Sequence, residues 1–469
     1  MKATLFVLLA LGAAATASAA DAKRSATDLE AREIYAKIIS IPSQLGNGKV
    51  PEVAEYLAGR FRAAGFPDSD IHVLPFKGEG DQTASLVVRY RGTGKGGKPI
   101  LLMAHMDVVA AKREDWERDP YTLVEENGYF FGRGTYDDKQ GVVALTSTFL
   151  RLKAEKFVPS RDLIIYFSGD EETAQATALD AARNHRDLID AEFALNADAG
   201  AGTLEETTGK ALYYSMQTAE KTYADFTLTT HNAGGHSSLP RADNAIYDLA
   251  VALQKVSKYQ APVMWNDTTL ASLRMAGQQI PGELGAALAR FAANPRDAEA
   301  AAAIAREPGY VGQTRTTCVA TMLSGGHAPN ALPQSASANV NCRIFPGVKI
   351  DDVRAALQDV VGTGVEVKLV GEPLSSDASP LRKDVVAAVT KAVHSVRPGI
   401  PVVPAQGSGA SDGLVFRSIG IPTYGTDGNF MKPNEKFSHG LNERLTVQSF
   451  YDSLTFWHVL VTELAGPRR

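Results

Sequence analysis

An apolar stretch near residue 105 ends in two side chains that often serve metal sites. Residues 99–107 read Pro-Ile-Leu-Leu-Met-Ala-His-Met-Asp, so His105 and Asp107 follow a run that is typical of a buried strand. Residues two apart on a strand point to the same face, and a carboxylate at 107 can therefore orient a metal-binding imidazole at 105. A core histidine capped by Asp107 explains the same pair. Acidic residues at the ends of other strands decide between the two interpretations.

Acidic residues do follow several other apolar segments. Carboxylates gathered in a partly dry cleft raise each other's pKa, and their repulsion costs several kcal/mol unless cations lie among them. The pattern therefore predicts a site for two divalent metal ions. The acids, with a second histidine near the C-terminus, are Asp137, Asp138, Glu171, Glu172, Asp198 and His439.

Helix and strand patterns alternate through the first 200 residues. Continuous apolar strands between amphipathic helices indicate an α/β sheet that is covered on both faces. Open sheets of this kind bind ligands at the carboxyl ends of their strands, which is where the acids lie. The predicted helices cover residues 25–43, 50–65 and 139–152, and the predicted strands cover residues 71–76, 85–90, 100–104 and 163–167.

These motifs together resemble the di-zinc metallopeptidases and deacylases that include glutamate carboxypeptidase, aminoacylase, carnosine dipeptidase and succinyl-diaminopimelate desuccinylase. The resemblance extends over nearly all of the chain after residue 20, with five motifs in the family's order. It implies a mixed-sheet α/β zinc-peptidase catalytic domain with an inserted α+β sandwich lid of the dimerisation type. The catalytic domain would comprise residues 21–209 and 377–469, and the lid residues 210–376.

The resemblance implies that five side chains bind two zinc ions, for which Co²⁺ or Mn²⁺ could substitute. His105, Asp137 and Asp198 would bind one ion. Asp137 would also bridge to the second ion, which Glu172 and His439 would complete. Zinc bound in this way activates a water molecule at neutral pH. We therefore expect a metal-dependent hydrolase.

The expected reaction is hydrolysis of an amide bond in a small substrate. Glu171 would be the general base, and Asp107 would orient His105. The aspartate at 198, where family deacylases and carboxypeptidases generally have glutamate, favours a dipeptidase-like or aminopeptidase-like exopeptidase acting on short peptides. A carboxypeptidase-like exopeptidase belongs to the same hypothesis.

Two other hypotheses remain open. An N-acyl-amino-acid deacylase of the aminoacylase type is the alternative enzyme, because Asp198 differs from a glutamate by one methylene and because Glu205 or Glu206 could be the ligand instead. A zinc-binding or peptide-binding protein without activity is the third hypothesis. The intact Glu171 argues against it, since binding alone needs no base.

Three residues of the predicted lid are candidates for substrate contacts. By the resemblance, His236 in a Gly-Gly-His-Ser-Ser loop reaches the substrate carbonyl, often from the other subunit, so a homodimer through the lid is expected. Arg343 and Asn330 match positions that bind the substrate's carboxylate or polar backbone, and a guanidinium binds a carboxylate bidentately. A turn histidine and a surface arginine are the structural alternatives. The alanine-rich residues 286–304 predict an additional helical pair.

The first 20 residues predict export to the periplasm or the medium. Lys2, an apolar run over residues 3–15 and an Ala-Ser-Ala site ending at Ala19 are typical of a secretory signal peptide, with cleavage after Ala19 or Ala20. The run is too short to span a bilayer, and no later stretch predicts a stable membrane span.

Charge and cysteine content narrow the class of protein further. The formal net charge of −5 and the absence of a basic stripe argue against a nucleic-acid partner. Cys318 and Cys342 are the only cysteines, and they lie in two strand patterns. If those strands pair antiparallel, an oxidising compartment would allow a disulfide, and two free buried thiols are the alternative.

Overall fold

The computed structural model describes residues 24–78, 81–435 and 437–467 of the 469-residue chain. The predicted signal peptide, residues 1–20, lies outside the described residues. The chain divides into two compact units. The first contains the described residues up to Tyr213, Ala387–Pro401 and those from Thr426 onward, and the second contains Tyr214–Val386 and Val402–Gly425. The predicted borders of a catalytic domain and a lid stay a prediction.

The strands include all of those predicted from the sequence. In chain order they are β1 (Ile71–Lys77), β2 (Gln82–Tyr90), β3 (Ile100–His105), β4 (Val124–Glu126), β5 (Tyr129–Phe131), β6 (Leu163–Ser168), β7 (Phe193–Asn196), β8 (Ala201–Leu204), β9 (Ala211–Glu220), β10 (Thr222–His231), β11 (Gly235–His236), β12 (Thr317–Gly325), β13 (Ala331–Leu332), β14 (Ser335–Ile344), β15 (Glu366–Val370), β16 (Val402–Gly407), β17 (Thr423–Gly425), β18 (Phe430–Met431) and β19 (Arg444–Thr446).

The first helix begins and ends at recognisable signals. It has a capping box between Ser25 and Asp28, and it ends at Ile39 rather than near 43, because Pro42 disfavours a helical conformation in the residue before it. Within the residues that the structure describes, no helix combines the length and the apolar character that crossing a bilayer requires. The helices are α1 (Ala26–Ile39), α2 (Val50–Ala63), α3 (Lys139–Ala154), α4 (Ala176–Asn184), α5 (Arg186–Ile189), α6 (Ala245–Lys258), α7 (Asp267–Gln279), α8 (Gly282–Ala293), α9 (Ala298–Ala305), α10 (Pro308–Val311), α11 (Ile350–Val361), α12 (Lys383–Val396), α13 (Asp412–Ser418) and α14 (Val447–Ala465).

Strands β1, β2, β6, β3 and β7 of the first unit lie side by side in that order. The pairs β1–β2 and β2–β6 are antiparallel, whereas β3 is parallel to both of its neighbours. Every residue of β3 and β6 is buried, as expected of strands covered on both faces. Helix α3 packs on β3, and α2 packs on β1 and β2. The predicted mixed-sheet α/β fold is confirmed.

The parallel part of this sheet positions the acids. In the register of β3, His105 lies opposite Ser168 of β6, and Met103 lies opposite Asn196 of β7. The three strands therefore end at the same edge. His105 ends β3, and Glu172 and Asp198 follow β6 and β7, which explains why these three residues meet although they are far apart in the sequence.

The second unit contains the predicted α+β sandwich. Its strands lie in the order β12-β14-β10-β15, all antiparallel, and helices α6 and α11 contribute to the same hydrophobic core. Burial alternates along β10 and β14, as in a sheet with one covered face. Strand β9 pairs with β16 in parallel.

The structure adds two features of the second unit that the sequence did not decide, a disulfide and an additional helix. Cys318 and Cys342 face each other across β12 and β14 and form a disulfide. The predicted helical pair in residues 286–304 corresponds to the end of α8 and to α9. Helix α7, which the alanine-rich pattern did not indicate, packs with α8 around Leu288 and Phe291 and also contacts β16.

Candidate metal centre

His105 is the last residue of β3, and its ring links two sets of oxygen atoms. Nδ1 lies 3.1 Å from the backbone oxygen of Asp107 and 3.5 Å from its Oδ1. Nε2 lies 3.0 Å from Oδ1 of Asp137 and 3.6 Å from Oδ1 of Asp198. Burial alone would lower the pKa of His105, but hydrogen bonds to Asp107, Asp137 and Asp198 raise it well above its usual value. The ring is thus oriented from one side and faces carboxylates on the other.

The predicted ligands form two groups that share one aspartate. His105, Asp137 and Asp198 offer ligand atoms that lie within 4.8 Å of one another, and so do Asp137, Glu172 and His439. His439 Nε2 lies 2.9 Å from Oε2 of Glu172 and 3.2 Å from Oδ2 of Asp137. Asp137 therefore presents one oxygen to each group, which is the arrangement that a bridging carboxylate requires.

Charge and burial in this cluster fit bound cations. Burial raises the pKa of Asp198. Hydrogen bonds to Asp137 and Glu172 raise the pKa of His439 to about 10, so a proton takes the place of a cation in the metal-free protein. Among the described residues, Oε1 of Glu172 is buried and has no hydrogen-bond partner. Imidazole and carboxylate donors of this kind suit Zn²⁺, Co²⁺ or Mn²⁺.

The turn after β6 places Glu171 and Glu172 through the carboxylate of Asp107. Their backbone N–H groups donate to Oδ1 and Oδ2 of Asp107, each at 3.1 Å. Asp107 therefore holds this turn with its carboxylate and contacts the ring of His105 mainly with its backbone oxygen. Glu171 belongs to neither metal-binding group, and its Oε1 accepts a hydrogen bond from Gln175 at 3.3 Å. A carboxylate next to the centre but outside its ligand groups is what a general base needs to be.

Asp137 and Asp138 have different surroundings although they are adjacent. The peptide bond between them is cis. Oδ1 of Asp138 accepts a hydrogen bond from the N–H of Gly141 at 3.2 Å and so caps helix α3. A cavity of about 180 Å³ lies against Asp137 and Asp198, on the same unit. Asp138 is therefore a helix cap, whereas Asp137 belongs to both candidate metal-binding groups.

Two residues near the centre were not identified from the sequence. Glu443 is fully buried, accepts N–H bonds from Tyr136 at 2.8 Å and Asp137 at 3.1 Å, and forms an ion pair with Arg133 at 2.6 Å. Burial raises the pKa of Glu443 to about 7. Arg133 also donates to the backbone oxygen of His439 at 3.5 Å. The sequence offered one signal for Glu443, which is its position four residues after the predicted ligand His439.

His236 and Asn330 come together in the second unit. Strand β11 pairs with β13, and the backbone oxygen of Asn330 accepts a hydrogen bond from Ser237 at 3.1 Å. Both His236 and Asn330 are exposed. Nδ1 of His236 contacts the hydroxyl of Ser238 at 2.8 Å, which fixes the ring on a short loop.

Arg343 lies at the other end of the same sheet. It faces Tyr223 in the β10–β14 pair, eight residues along β10 from His231, which precedes the loop of His236. At about 3.3 Å per residue this is about 26 Å. Arg343 donates to the backbone oxygen of Ser408 at 2.9 Å and stacks on the ring of Tyr223. Within one copy of this unit, the length of β10 therefore separates Arg343 from the start of the loop that carries His236.

Comparisons with known proteins agree with this geometry. The family model described as Peptidase family M20/M25/M40 matches residues 101–463. The chain is 28% identical over 382 residues to the N-fatty-acyl-amino acid synthase/hydrolase PM20D1 of Homo sapiens, and the alignment covers 79% of this chain and 75% of that protein.

Solved structures show the same fold. The M20 family metallo-carboxypeptidase Sso-CP2 from Sulfolobus solfataricus has a TM-score of 0.67 at 17% identity, covering 93% of this chain and 99% of that one. The Bacillus subtilis YXEP protein, described as a dinuclear metal binding peptidase, has a TM-score of 0.56 at 12% identity, covering 93% and 98%. At these identities the structures establish the fold, whereas the family model extends over most of the sequence. The chain therefore belongs to Peptidase family M20/M25/M40.

Proposed function

We propose that this M20-family hydrolase cleaves the amide bond that precedes a C-terminal amino acid, in a short peptide or in an N-acyl amino acid. The observation that carries the proposal is the pair of metal-binding groups that share Asp137, with Glu171 beside them and outside both. The names of the relatives support the substrate. A carboxypeptidase and an N-fatty-acyl-amino acid hydrolase both release an amino acid with a free carboxylate.

Five side chains of the candidate centre would bind the two metal ions. His105, Asp137 and Asp198 would hold one divalent ion, and Glu172 and His439 would hold the other together with Asp137. Such ions, when bound, lower the pKa of water and polarise a carbonyl group.

Glu171 would carry the proton in this reaction. Its carboxylate would accept the proton of the attacking water and then deliver it to the leaving amine. Asp107 supports that role, because its two oxygens bind the backbone of Glu171 and Glu172 and so set the spacing between base and ligand.

A dipeptidase or an aminopeptidase is the second candidate. Asp198 favours it, because aspartate at this position is typical of those members of the family. Such enzymes must recognise a substrate ammonium group, whereas an N-acyl amino acid has none, and this difference allows the two candidates to be separated by the choice of substrates.

We further propose that the second unit forms a homodimer. Strand β12 lies at the edge of its sheet, and the side chains of Val319, Met322 and Leu323 on it are 57%, 71% and 70% exposed. Exposed apolar edge strands pair readily with another chain. A dimer would also allow His236 of one copy and Arg343 of another to contact the same substrate. In one copy of the unit, these residues lie toward opposite ends of the sheet.

Export is proposed on two grounds. The signal pattern in residues 1–20 supports it. The disulfide between Cys318 and Cys342 also supports it, because disulfides persist in oxidising compartments such as the periplasm. N-terminal sequencing of protein from the medium or periplasm should begin at Ala20 or Asp21, whereas an intact Met1 in cytoplasmic protein would contradict export.

The function is tested with purified protein loaded with Zn²⁺, Co²⁺ or Mn²⁺. A panel of dipeptides, carboxypeptidase substrates and N-acyl amino acids should show release of a C-terminal amino acid, and removal of metal by a chelator should abolish it. Release from dipeptides alone, dependent on a free amino terminus, would favour the second candidate. Tight binding of these compounds without turnover would support a binding protein instead.

A further inference from the structure

A second concave feature of the first unit adjoins the metal centre. It is a cavity of about 510 Å³, within the range of about 300–1,000 Å³ that is usual for small-molecule sites. Its apolar side chains come from helices α2 and α4, from β1 and from the segments that precede α2 and follow β6. The apolar side chains that line it are Leu45, Val50, Phe76, Ala174 and Ala176.

The cavity and the metal centre share structural elements. Asp107 lines the cavity, and its carboxylate binds the backbone of Glu171 and Glu172. Thr173 and Ala174, which also line it, directly follow Glu172 in the chain. The cavity therefore begins next to the turn that carries the predicted base.

The carboxylates in the cavity wall are already engaged by the backbone. Asp81 accepts hydrogen bonds from three backbone N–H groups, and Asp107 and Asp170 accept them from two each. A substrate ammonium group would compete with these bonds, whereas an uncharged chain would not disturb them. The donors are Gly46, Gly48 and Gln82 to Asp81, Glu171 and Glu172 to Asp107, and Ala176 and Thr177 to Asp170.

We propose that this cavity binds the acyl chain of a long-chain N-acyl amino acid, with the scissile amide toward the metal centre. The inference rests on the proposed function and makes its substrate class specific. Two observations carry the inference: the apolar wall, and the carboxylates that already accept hydrogen bonds from backbone N–H groups. Both favour a hydrocarbon chain over the charged amino terminus of a peptide. The occupant is thus the acyl half of the substrate rather than the released amino acid.

A chain-length series tests the proposal. N-acyl glycines from acetyl to dodecanoyl are compared by kcat/KM with metal-loaded enzyme. Each methylene that enters the cavity should raise kcat/KM about fourfold, until the cavity is filled. A kcat/KM that does not rise with chain length, in an enzyme that cleaves N-acetylglycine, would overturn the inference and leave the proposed function intact.

Narrowing the cavity provides the second test. Ala174 is exposed at the cavity, so Ala174→Trp adds bulk there without disturbing a packed core. The variant should lower the ratio of kcat/KM for dodecanoyl over acetyl substrate at least tenfold. Val158→Trp is the matched control, because Val158 is 63% exposed in the same unit and does not line the cavity. An equal loss for both chain lengths in Ala174→Trp, or the same selective loss in the control, would overturn the proposal.

A binding measurement separates this inference from the proposed function. Calorimetry with the Glu171→Gln variant should show tighter binding of N-dodecanoylglycine than of N-acetylglycine, with a more negative heat-capacity change. Adding Ala174→Trp should remove the difference. Equal binding of the two compounds would overturn the cavity assignment. If the wild-type enzyme hydrolyses no N-acyl amino acid although the long chain binds selectively, the proposed reaction fails while the cavity assignment stands.

Discussion

Glu443 holds the backbone of Asp137, the aspartate that belongs to both metal-binding groups. Oε1 of Glu443 accepts hydrogen bonds from the N–H of Asp137 at 3.1 Å and of Tyr136 at 2.8 Å. Arg133, which pairs with Glu443, also reaches the backbone oxygen of His439. One buried ion pair thus links the segments that carry two predicted ligands, Asp137 and His439.

Loss of this support should weaken metal binding although no ligand is removed. Glu443→Gln would leave Arg133 buried without its counterion and would place an amide donor among N–H groups. We expect metal affinity to fall about 10-fold to 100-fold, as is typical when a partner that orients a ligand is lost. Competition titration with Zn²⁺ or Co²⁺ measures the affinity.

A matched pair in the same unit provides the control for Glu443. Glu192 pairs with Arg161 at 2.6 Å, and its N–H bonds the oxygen of Pro99, just before the start of β3 and away from the metal edge. Glu192→Gln should lower stability without lowering metal affinity. An equal loss of affinity in both variants would mean that Glu443 acts through general stability alone.

The two glutamates after β6 should respond differently to substitution. Glu171→Gln removes proton transfer but no ligand, so the protein should keep both metals while kcat falls by orders of magnitude. Glu172→Ala removes a ligand, so the second metal should be lost. Metal analysis together with kcat decides the matter. If Glu172→Ala kept both metals, Glu172 would not be a ligand. If Glu171→Gln lost its metals, the roles of base and ligand would be exchanged.

The resemblance to a known family was sufficient to propose both ligand groups, and the strand patterns that precede or contain His105, Glu172 and Asp198 indicated that these three predicted ligands lie at one sheet edge. The fold class followed from the alternation of helix and strand patterns along the chain. Residues that act through the backbone of others gave no such signal. Arg133 and Glu443 lie about 310 residues apart and meet only once the chain has folded. The contact of Asp107 with the turn of Glu171 was likewise missed, since strand alternation predicts the direction of a side chain but not its partner across a loop.

The adjacent aspartates should also be separable. Asp137 offers an oxygen to each group, so Asp137→Ala should strip both metals. Asp138 caps α3, and Asp138→Asn can keep an oxygen toward Gly141, so it should retain most of the metal and lose at most about 1 kcal/mol of stability. Metal content and denaturant unfolding of the two variants give the comparison. Equal metal loss would show that the pair acts as one unit.

Metal affinity should rise with pH. In the metal-free protein, hydrogen bonds to Asp137 and Glu172 raise the pKa of His439 to about 10, so this ring carries a proton at neutral pH. A metal must displace that proton, and the displacement is easier as pH approaches the pKa from below. Affinity should therefore increase roughly tenfold per pH unit for each proton displaced, between pH 6 and 9. Calorimetry in two buffers of different ionisation enthalpy measures proton release, and its absence would contradict a protonated His439.

His236 of the second unit should act on the transition state and come from a partner subunit. His236→Ala should lower kcat and kcat/KM together with little change in metal content, because an interaction made only in the transition state affects both. An unchanged kcat would remove His236 from the mechanism.

Size-exclusion chromatography with light scattering should show a dimer, and Met322→Lys on the exposed edge of β12 should weaken it.

Mixing two inactive variants decides which subunit supplies the histidine. In a hybrid of His236→Ala and Glu171→Gln, a histidine acting in trans completes one of the two sites, because the metal centre of the first variant receives the histidine of the second. Activity should then recover toward a quarter of the wild-type value per chain, since half of the dimers are hybrids and each has one complete site. Without recovery after proven subunit exchange, His236 acts within its own chain. The separation of about 26 Å between Arg343 and the start of the His236 loop favours a histidine acting in trans, since a small substrate held by Arg343 would not extend that far along the same copy of the second unit.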